Sequence, residues 1–198
     1  LIENKKIFVV SGLPASGKTS LINYLRASGL DRVQFVKEFL EPMPSQFRKP
    51  QLLDFEQKLK AQEWVLEQNN IKYSIALSNL ESGIITIMDR GYLDVLAYSY
   101  VMDLKIYNSI LGKIPSSFLD IAHTIYLEPE LNTLLDRTMK RSGHDAVNKI
   151  QWLAFLEDLE KAFSTIISGL KFSYDKFDSQ LDTSKLALGI INKFSLVR

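Results

Sequence analysis

The stretch FVVSGLPASGKTSL, residues 8–21, constrains the fold of this chain more than any other. An apolar, β-branched run leads into Gly12 and Gly17, followed at once by Lys18, Thr19 and the start of a periodic segment. Residues 12–19 satisfy G-x-x-x-x-G-K-[ST] without a mismatch. Such a loop works only between a strand and a helix: the glycines let successive N–H groups face one anion, and the helix N-terminus adds its dipole. Gly12, Ala15, Ser16, Gly17, Lys18, Thr19 and Ser20 are therefore the expected contacts to a nucleoside triphosphate. Lys18 is expected to reach the outer phosphates and the Thr19 hydroxyl to ligate magnesium.

The rest of the chain repeats that alternation. Short apolar runs at 6–10, 33–36, 84–88, 124–127 and, more weakly, 172–177 read as strands. Helical patterns lie between them near 18–28, 52–80, 92–111, 130–142, 148–168 and 183–194. Pro42, Pro44 and Pro50 mark a loop after the second strand, and Gly112-Lys113-Ile114-Pro115 a break before Ser116, a suitable N-cap. With 198 residues, no repeat and no linker, the expectation is one domain over 1–198. The 24 basic and 23 acidic residues leave a net charge of +1, which argues against a nucleic-acid polymer as partner. The chain has no cysteine, so thiolate chemistry and disulfides are excluded. No apolar run approaches the roughly 18 residues of a membrane span, and Ile7–Val10 leads straight into the glycine loop, so a cytoplasmic protein is expected.

A second site is written in GIITIMDRGYLDVLAYSY, residues 83–100. The run 84–88 suits a central strand covered on both faces, and Asp89 follows at its carboxyl end, where ligands gather in open α/β sheets. Asp89 is thus a candidate for the magnesium shell, and Arg90 for neutralising phosphate charge. An N-cap is the plainer role for Asp89. Asp89-Arg90-Gly91-Tyr92 with Ala97-Tyr98 resembles the Asp-Arg motif of thymidylate kinases and the Glu/Asp-Arg-Ser motif of deoxynucleoside kinases, with Gly91 where those families carry Ser or an aromatic residue. The resemblance implies an α/β protein, a three-layer P-loop NTPase fold with a mainly five-stranded parallel sheet flanked by helices. It also implies ATP and Mg2+ as cofactors, a small-molecule acceptor, and a homodimer as a common assembly.

After the fourth strand, Leu131, Leu134, Leu135 and Thr138 form one helical arc, with Arg137 and Arg141 together at its edge. Two guanidiniums there can clamp phosphoryl oxygens, or simply form a solvated basic turn. Tyr126-Leu127-x-Pro129-Glu130, the two arginines and the following polar segment resemble the lid of both kinase families, placing a lid near 137–148. Lys140 and His144 are further candidates in it.

On the acceptor side, VQFVKEFLEPMP ends the second strand with Glu38 and then Glu41-Pro42. Deoxynucleoside kinases resemble this, with a Glu at that strand end accepting the proton of the nucleoside hydroxyl. Thymidylate kinases place an Arg before Glu-Pro to hold a phosphorylated acceptor; here Lys37 and Phe39 stand nearby. A carboxylate suits a neutral hydroxyl and repels a monophosphate, so the balance favours a nucleoside over a nucleoside monophosphate. Either Glu38 or Glu41 can be the base. Leu52, Phe55, Leu59 and Leu66 define an apolar helix face with Gln62 on its edge. Gln62 is similar to the base-reading Gln of deoxynucleoside kinases, while Trp64, Tyr92 and Tyr98 can stack a base or serve the core.

Other classes fit less well. A GTPase needs Asp-x-x-Gly and Asn-Lys-x-Asp; Asp89 is followed by Gly too early, and Asn148-Lys149 and Asn192-Lys193 lack the Asp. An ATPase without an acceptor, or a kinase of another small-molecule hydroxyl, shares the same phosphate machinery.

Overall fold

The computed structural model describes residues 6–47, 53–128, 130–142 and 146–196. The chain runs β1 (Ile7–Gly12), α1 (Lys18–Ala27), β2 (Val33–Val36), α2 (Phe55–Glu81), β3 (Ile85–Asp89), α3 (Tyr92–Met102) and α4 (Leu104–Leu111). It continues through α5 (Ser117–Ile121), β4 (Ala122–Glu128), α6 (Leu131–Ser142), α7 (Ala146–Leu170), β5 (Tyr174–Asp178) and α8 (Thr183–Lys193). The five strands form one parallel sheet in the order β2-β3-β1-β4-β5. The α/β architecture expected from the sequence is present.

Strand alternation divides the core into two layers. Ile7 and Val9 face a large cluster built with Leu66, Tyr73 and Ala76 of α2, Leu93 and Leu96 of α3, Ile106 and Ile110 of α4, and Leu159 and Phe163 of α7. Phe8 and Val10 face the other way, against Leu21, Ile22 and Leu25 of α1 and Ala187, Ile190 and Ile191 of α8. Helix α3 is apolar nearly all round and buried from Tyr92 to Ala97, as expected of a helix enclosed between a sheet and its neighbours.

Several boundaries differ from those the sequence suggests. The helix expected over 92–111 breaks at Asp103, which is extended at φ −173° and caps α4 by accepting the Lys105 N–H at 2.7 Å. No glycine or proline announces the break; an Asp able to cap is the only sign. Ser116 makes no side-chain cap bond and is itself helical. On α2, Leu66 is buried and Leu59 packs on the core, but Phe55 is 44% exposed. Leu52 lies outside the described residues, as does Pro50.

At the end of β1 the phosphate loop turns tightly. Gly12 has φ +140°, and a Cβ there would sit 2.6 Å from the Leu127 carbonyl oxygen of β4. Both the backbone conformation and the close approach require glycine. Gly12→Ala is expected to cost about 2 kcal/mol or more, seen as a fall of roughly 4–8 °C in melting temperature. An unchanged melting curve would contradict this reading of the corner.

Candidate active site

A parallel sheet delivers all its strand ends to one edge, and the register decides which residues meet there. Val10 pairs with Asp89, and Val36 with Met88, so the chain leaving β2 reaches Glu38 beside Arg90. Arg90 itself has φ +58°, and its N–H donates to the Val10 carbonyl at 3.0 Å. Arg90 Nε lies 2.8 Å from Glu38 Oε1, an ion pair whose N–H is not aimed at the oxygen, while Nη1 donates to Asp94 Oδ1 at 3.1 Å. The guanidinium stands over the Tyr98 ring at 5.7 Å. Burial alone would lower its pKa, but Tyr98, Asp94, Glu38 and Asp89 together outweigh that and hold it cationic. Asp94, 3% exposed, also accepts from Ser11 Oγ at 2.8 Å and from the Gly91 N–H at 3.1 Å. A Cβ on Gly91 would lie 2.7 Å from Val9 Cγ1, which is why a side chain does not fit where the similar motifs carry Ser.

Around the phosphate loop is a cleft of about 110 Å³, lined by residues 15–20 together with Glu38, Asp89 and Arg90. Gly12, expected among the phosphate contacts, is not in its wall. Lys18 is 5% exposed and donates to the carbonyls of Gly12 and Leu13 at 2.9 and 2.7 Å, and to Ser16 Oγ at 3.3 Å. Burial, and then the Arg90 charge, lower its pKa to about 7. Burial and the neighbouring Glu38 push the Asp89 carboxyl up, against the pull of Arg90 and Lys18. Among the described residues no cluster of three or more His, Asp or Glu side chains can hold a metal unaided. The exposed Thr19 hydroxyl and the Asp89 carboxylate do share this cleft, a donor pair that suits magnesium completed by phosphate oxygens and water.

A second cavity of about 230 Å³ adjoins the first and shares Glu38 and Arg90 with it. Its walls are largely apolar: Phe39, Met43, Phe47, Val65, Val95 and Met102, with Gln62, Asn69, Asp94 and Tyr98 adding polar groups. Gln62 Oε1 accepts from Ser99 Oγ at 3.2 Å, and its Nε2 rests on Met102 Sδ at 3.4 Å. Of the two glutamates only Glu38 reaches either cavity; Glu41 is exposed and lines neither. Trp64 packs on the ring of Phe39 at 5.3 Å and is not part of the wall. The substrate contact expected of Tyr92 is corrected. Tyr92 is fully buried, edge-on to Phe118 and Tyr73, with its hydroxyl donating to Asn70 Oδ1 at 2.7 Å. It is a core residue because α3 turns that face toward α2 and α5.

Arg137 of α6 reaches the Ala15 carbonyl of the phosphate loop and the Ser179 carbonyl, both at 3.5 Å. Lys140 is exposed. The Arg141 side chain and His144 lie outside the described residues, as does part of the segment expected to form a lid. Among the described residues no helix is long and apolar enough to cross a membrane.

No protein-family model matches the sequence, and no curated protein matches it either. Solved structures do. Deoxyadenosine kinase from M. mycoides with the products dCMP and a flexible dCDP bound has a TM-score of 0.67 at 18% identity, over 96% of this chain and 100% of that one. Deoxyadenosine kinase from M. mycoides with bound dATP gives 0.64 at 18% identity, over 96% and 99% of the two chains. The YorR protein from Bacillus subtilis in complex with phosphorylated GDP gives 0.57 at 14% identity, over 96% of each chain. The chain shares the fold of these structures.

Within that fold, the residues least visible in the sequence lie on α2. Its buried face is partly polar: beside Ala61, Leu66, Tyr73 and Ala76 it carries Gln62, Gln68, Asn69, Lys72 and Asn79. Gln68 Oε1 accepts the N–H groups of Leu40 and Glu41 at 3.1 and 3.2 Å and so holds the chain leaving β2. Lys72 is fully buried and donates to the carbonyls of Glu38 at 3.2 Å and of Asp89 and Arg90 at 2.8 Å each. Burial lowers its pKa to about 8, resisted by Asp94, Asp89 and Glu38. Asn79 Nδ2 donates to Thr86 Oγ1 of β3 at 2.9 Å. The recurrence of Gln, Asn and Lys at helical spacing was the available signal.

The lowered pKa of Lys18 has a measurable consequence. At pH 8 less of the group is charged in the free protein than at pH 6, whereas a bound polyphosphate stabilises the ammonium. Once the ligand's own ionisation is subtracted, binding of inorganic tripolyphosphate is therefore expected to take up more protons at pH 8 than at pH 6. Calorimetry at both pH values in buffers of different ionisation enthalpy reads this; equal corrected uptake at the two would contradict it.

Proposed function

We propose that the protein is an ATP-dependent phosphotransferase that moves the γ-phosphoryl group to the hydroxyl of a nucleoside. One observation carries the reading: a phosphate-loop cleft and a largely apolar cavity meet at a common wall made by Glu38 and Arg90. An acceptor in the second cavity has its reacting hydroxyl beside a carboxylate, and a triphosphate in the first has its terminal group at the same wall. The kinship in fold with the M. mycoides deoxyadenosine kinase, which is seen with dCMP, dCDP or dATP, supports a nucleoside as the acceptor class.

The chemistry follows from the side chains. The loop amides and Lys18 hold the outer phosphates. Magnesium, held by Thr19 and Asp89 with the phosphates, would supply charge neutralisation. Glu38 takes the proton as the acceptor oxygen bonds to the γ-phosphorus and the bond to the β-phosphate oxygen breaks, releasing ADP. Arg90, anchored by Asp94, and Arg137 beside Ala15 stabilise charge spread over the transferring oxygens. The apolar lining and Gln62 exclude water and address the base. A carboxylate at the junction supports a neutral hydroxyl as acceptor over a monophosphate.

ADP release is expected to be slow with ATP alone and strongly stimulated by one or more members of a nucleoside panel. Stimulation only by nucleoside monophosphates would redirect the acceptor class, and rapid turnover without any acceptor would replace the kinase with an ATPase. Glu38→Gln is expected to lower kcat by about 10²–10⁴, with Glu41→Gln close to wild type. Lys18→Ala and Asp89→Ala should abolish transfer while the melting temperature is retained. Normal turnover in Asp89→Ala would remove the magnesium role.

A further inference from the structure

Lys72 does no chemistry in the scheme above, touches neither cavity, and carries an ammonium group into the interior at 0% exposure. Its three hydrogen-bond acceptors are all backbone carbonyls, those of Glu38, Asp89 and Arg90. The β2–β3 pairing ends at Val36 and Met88, so these carbonyls lie beyond the ladder and need donors from elsewhere. An ammonium has three N–H bonds and can meet all of them at once. A buried charge is a poor source of stability, since an apolar side chain of similar volume often serves a core as well or better. Its value here is geometric.

We infer that Lys72 is a positioning residue for the transfer, its ammonium tying the carbonyls of Glu38, Asp89 and Arg90 so that Glu38 and Arg90 at the junction of the two cavities and Asp89 in the phosphate cleft stand at fixed spacing. The inference rests on the phosphotransferase reading. Glu38 comes from the end of β2, and Asp89 and Arg90 from the end of β3; no ladder bond joins the two segments at that point. Arg90 is in the left-handed region, a conformation that non-glycine residues keep only when their surroundings hold it. Val10 accepts its N–H from one side, and Lys72 bonds its carbonyl from the other. Gln68, one helical turn before Lys72, fixes Leu40 and Glu41 in the same way, so α2 grips the whole segment that carries Glu38. Loss of the ammonium frees the proton acceptor to shift relative to the phosphate side, and a misplacement of about 1 Å is enough to cost a hundredfold in rate.

The test is steady-state transfer by the whole chain with ATP and the best nucleoside of the panel, comparing wild type with Lys72→Met, Lys72→Gln and Lys72→Arg. Ile110→Val, a core change in α4 away from both cavities, serves as a comparator that is destabilised only. In Lys72→Met, kcat is expected to fall about 10–100-fold while KM for ATP and for the nucleoside each stay within about threefold. Lys72→Arg should recover part of that loss, and Ile110→Val should lower the melting temperature with kcat unchanged. A folded Lys72→Met enzyme with wild-type kcat overturns the inference, as does a loss confined to KM. If all three Lys72 variants fail to fold, Lys72 is a folding element and the positioning role is wrong. Absence of acceptor-dependent turnover in wild type would instead sink the phosphotransferase reading, and the inference with it; only an active wild type beside an unaffected variant sinks the Lys72 role alone.

Discussion

In a parallel sheet every strand points its carboxyl end the same way, so whatever chemistry the strands carry collects at one edge. Which residues meet at that edge is a question of register. Here Val10 lies opposite Asp89 and Val36 opposite Met88, which sets the phosphate loop beside Asp89 and brings Glu38 alongside Arg90. Slipping either pairing by one residue would turn the apolar side chains of β3 from one core layer to the other. The two hydrophobic layers, with Ile87 in one and Met88 in the other, thus enforce the geometry of the site.

The edge holds more buried charge than a stable core would choose. Lys18, Lys72 and Arg90 stand among Asp89, Asp94 and Glu38, and the three cations each have protein partners. Taking such groups from water is costly, and their mutual attraction offsets the cost only when hydrogen bonding is nearly complete. Most of that bonding is to the backbone: Lys18 to the loop it belongs to, Lys72 to three strand-end carbonyls, Asp94 to the Gly91 N–H. Polar groups locked in this way rotate little, the condition for a site preorganised around developing charge.

Helix α2 shows why amphipathic patterning is an incomplete guide. The apolar residues that mark its face include Phe55, which is largely exposed, while the side it turns inward carries Gln62, Gln68, Asn69, Lys72 and Asn79. A helix packed against strand ends meets carbonyl and N–H groups that the ladder leaves over, and polar side chains satisfy them. Tyr92 errs in the opposite direction. Beside Asp89-Arg90 it has the chemistry of a substrate contact, yet α3 turns that face toward α2 and α5, and the ring closes against Phe118 and Tyr73.

The glycine loop and its lysine and the acidic strand end could be read from residues 8–21 and 83–100, because short-range geometry dictates them: a loop that cradles an anion needs glycine at a left-handed corner and a helix start. Periodicity likewise foretold the α/β layering. Preference for Glu38 over Glu41 at the cavity junction, the burial of Tyr92, the break at Asp103 and the part played by Lys72 belong to the tertiary structure. Each depends on which backbone groups are left without partners once distant strands have paired, and no local pattern in the chain encodes that remainder.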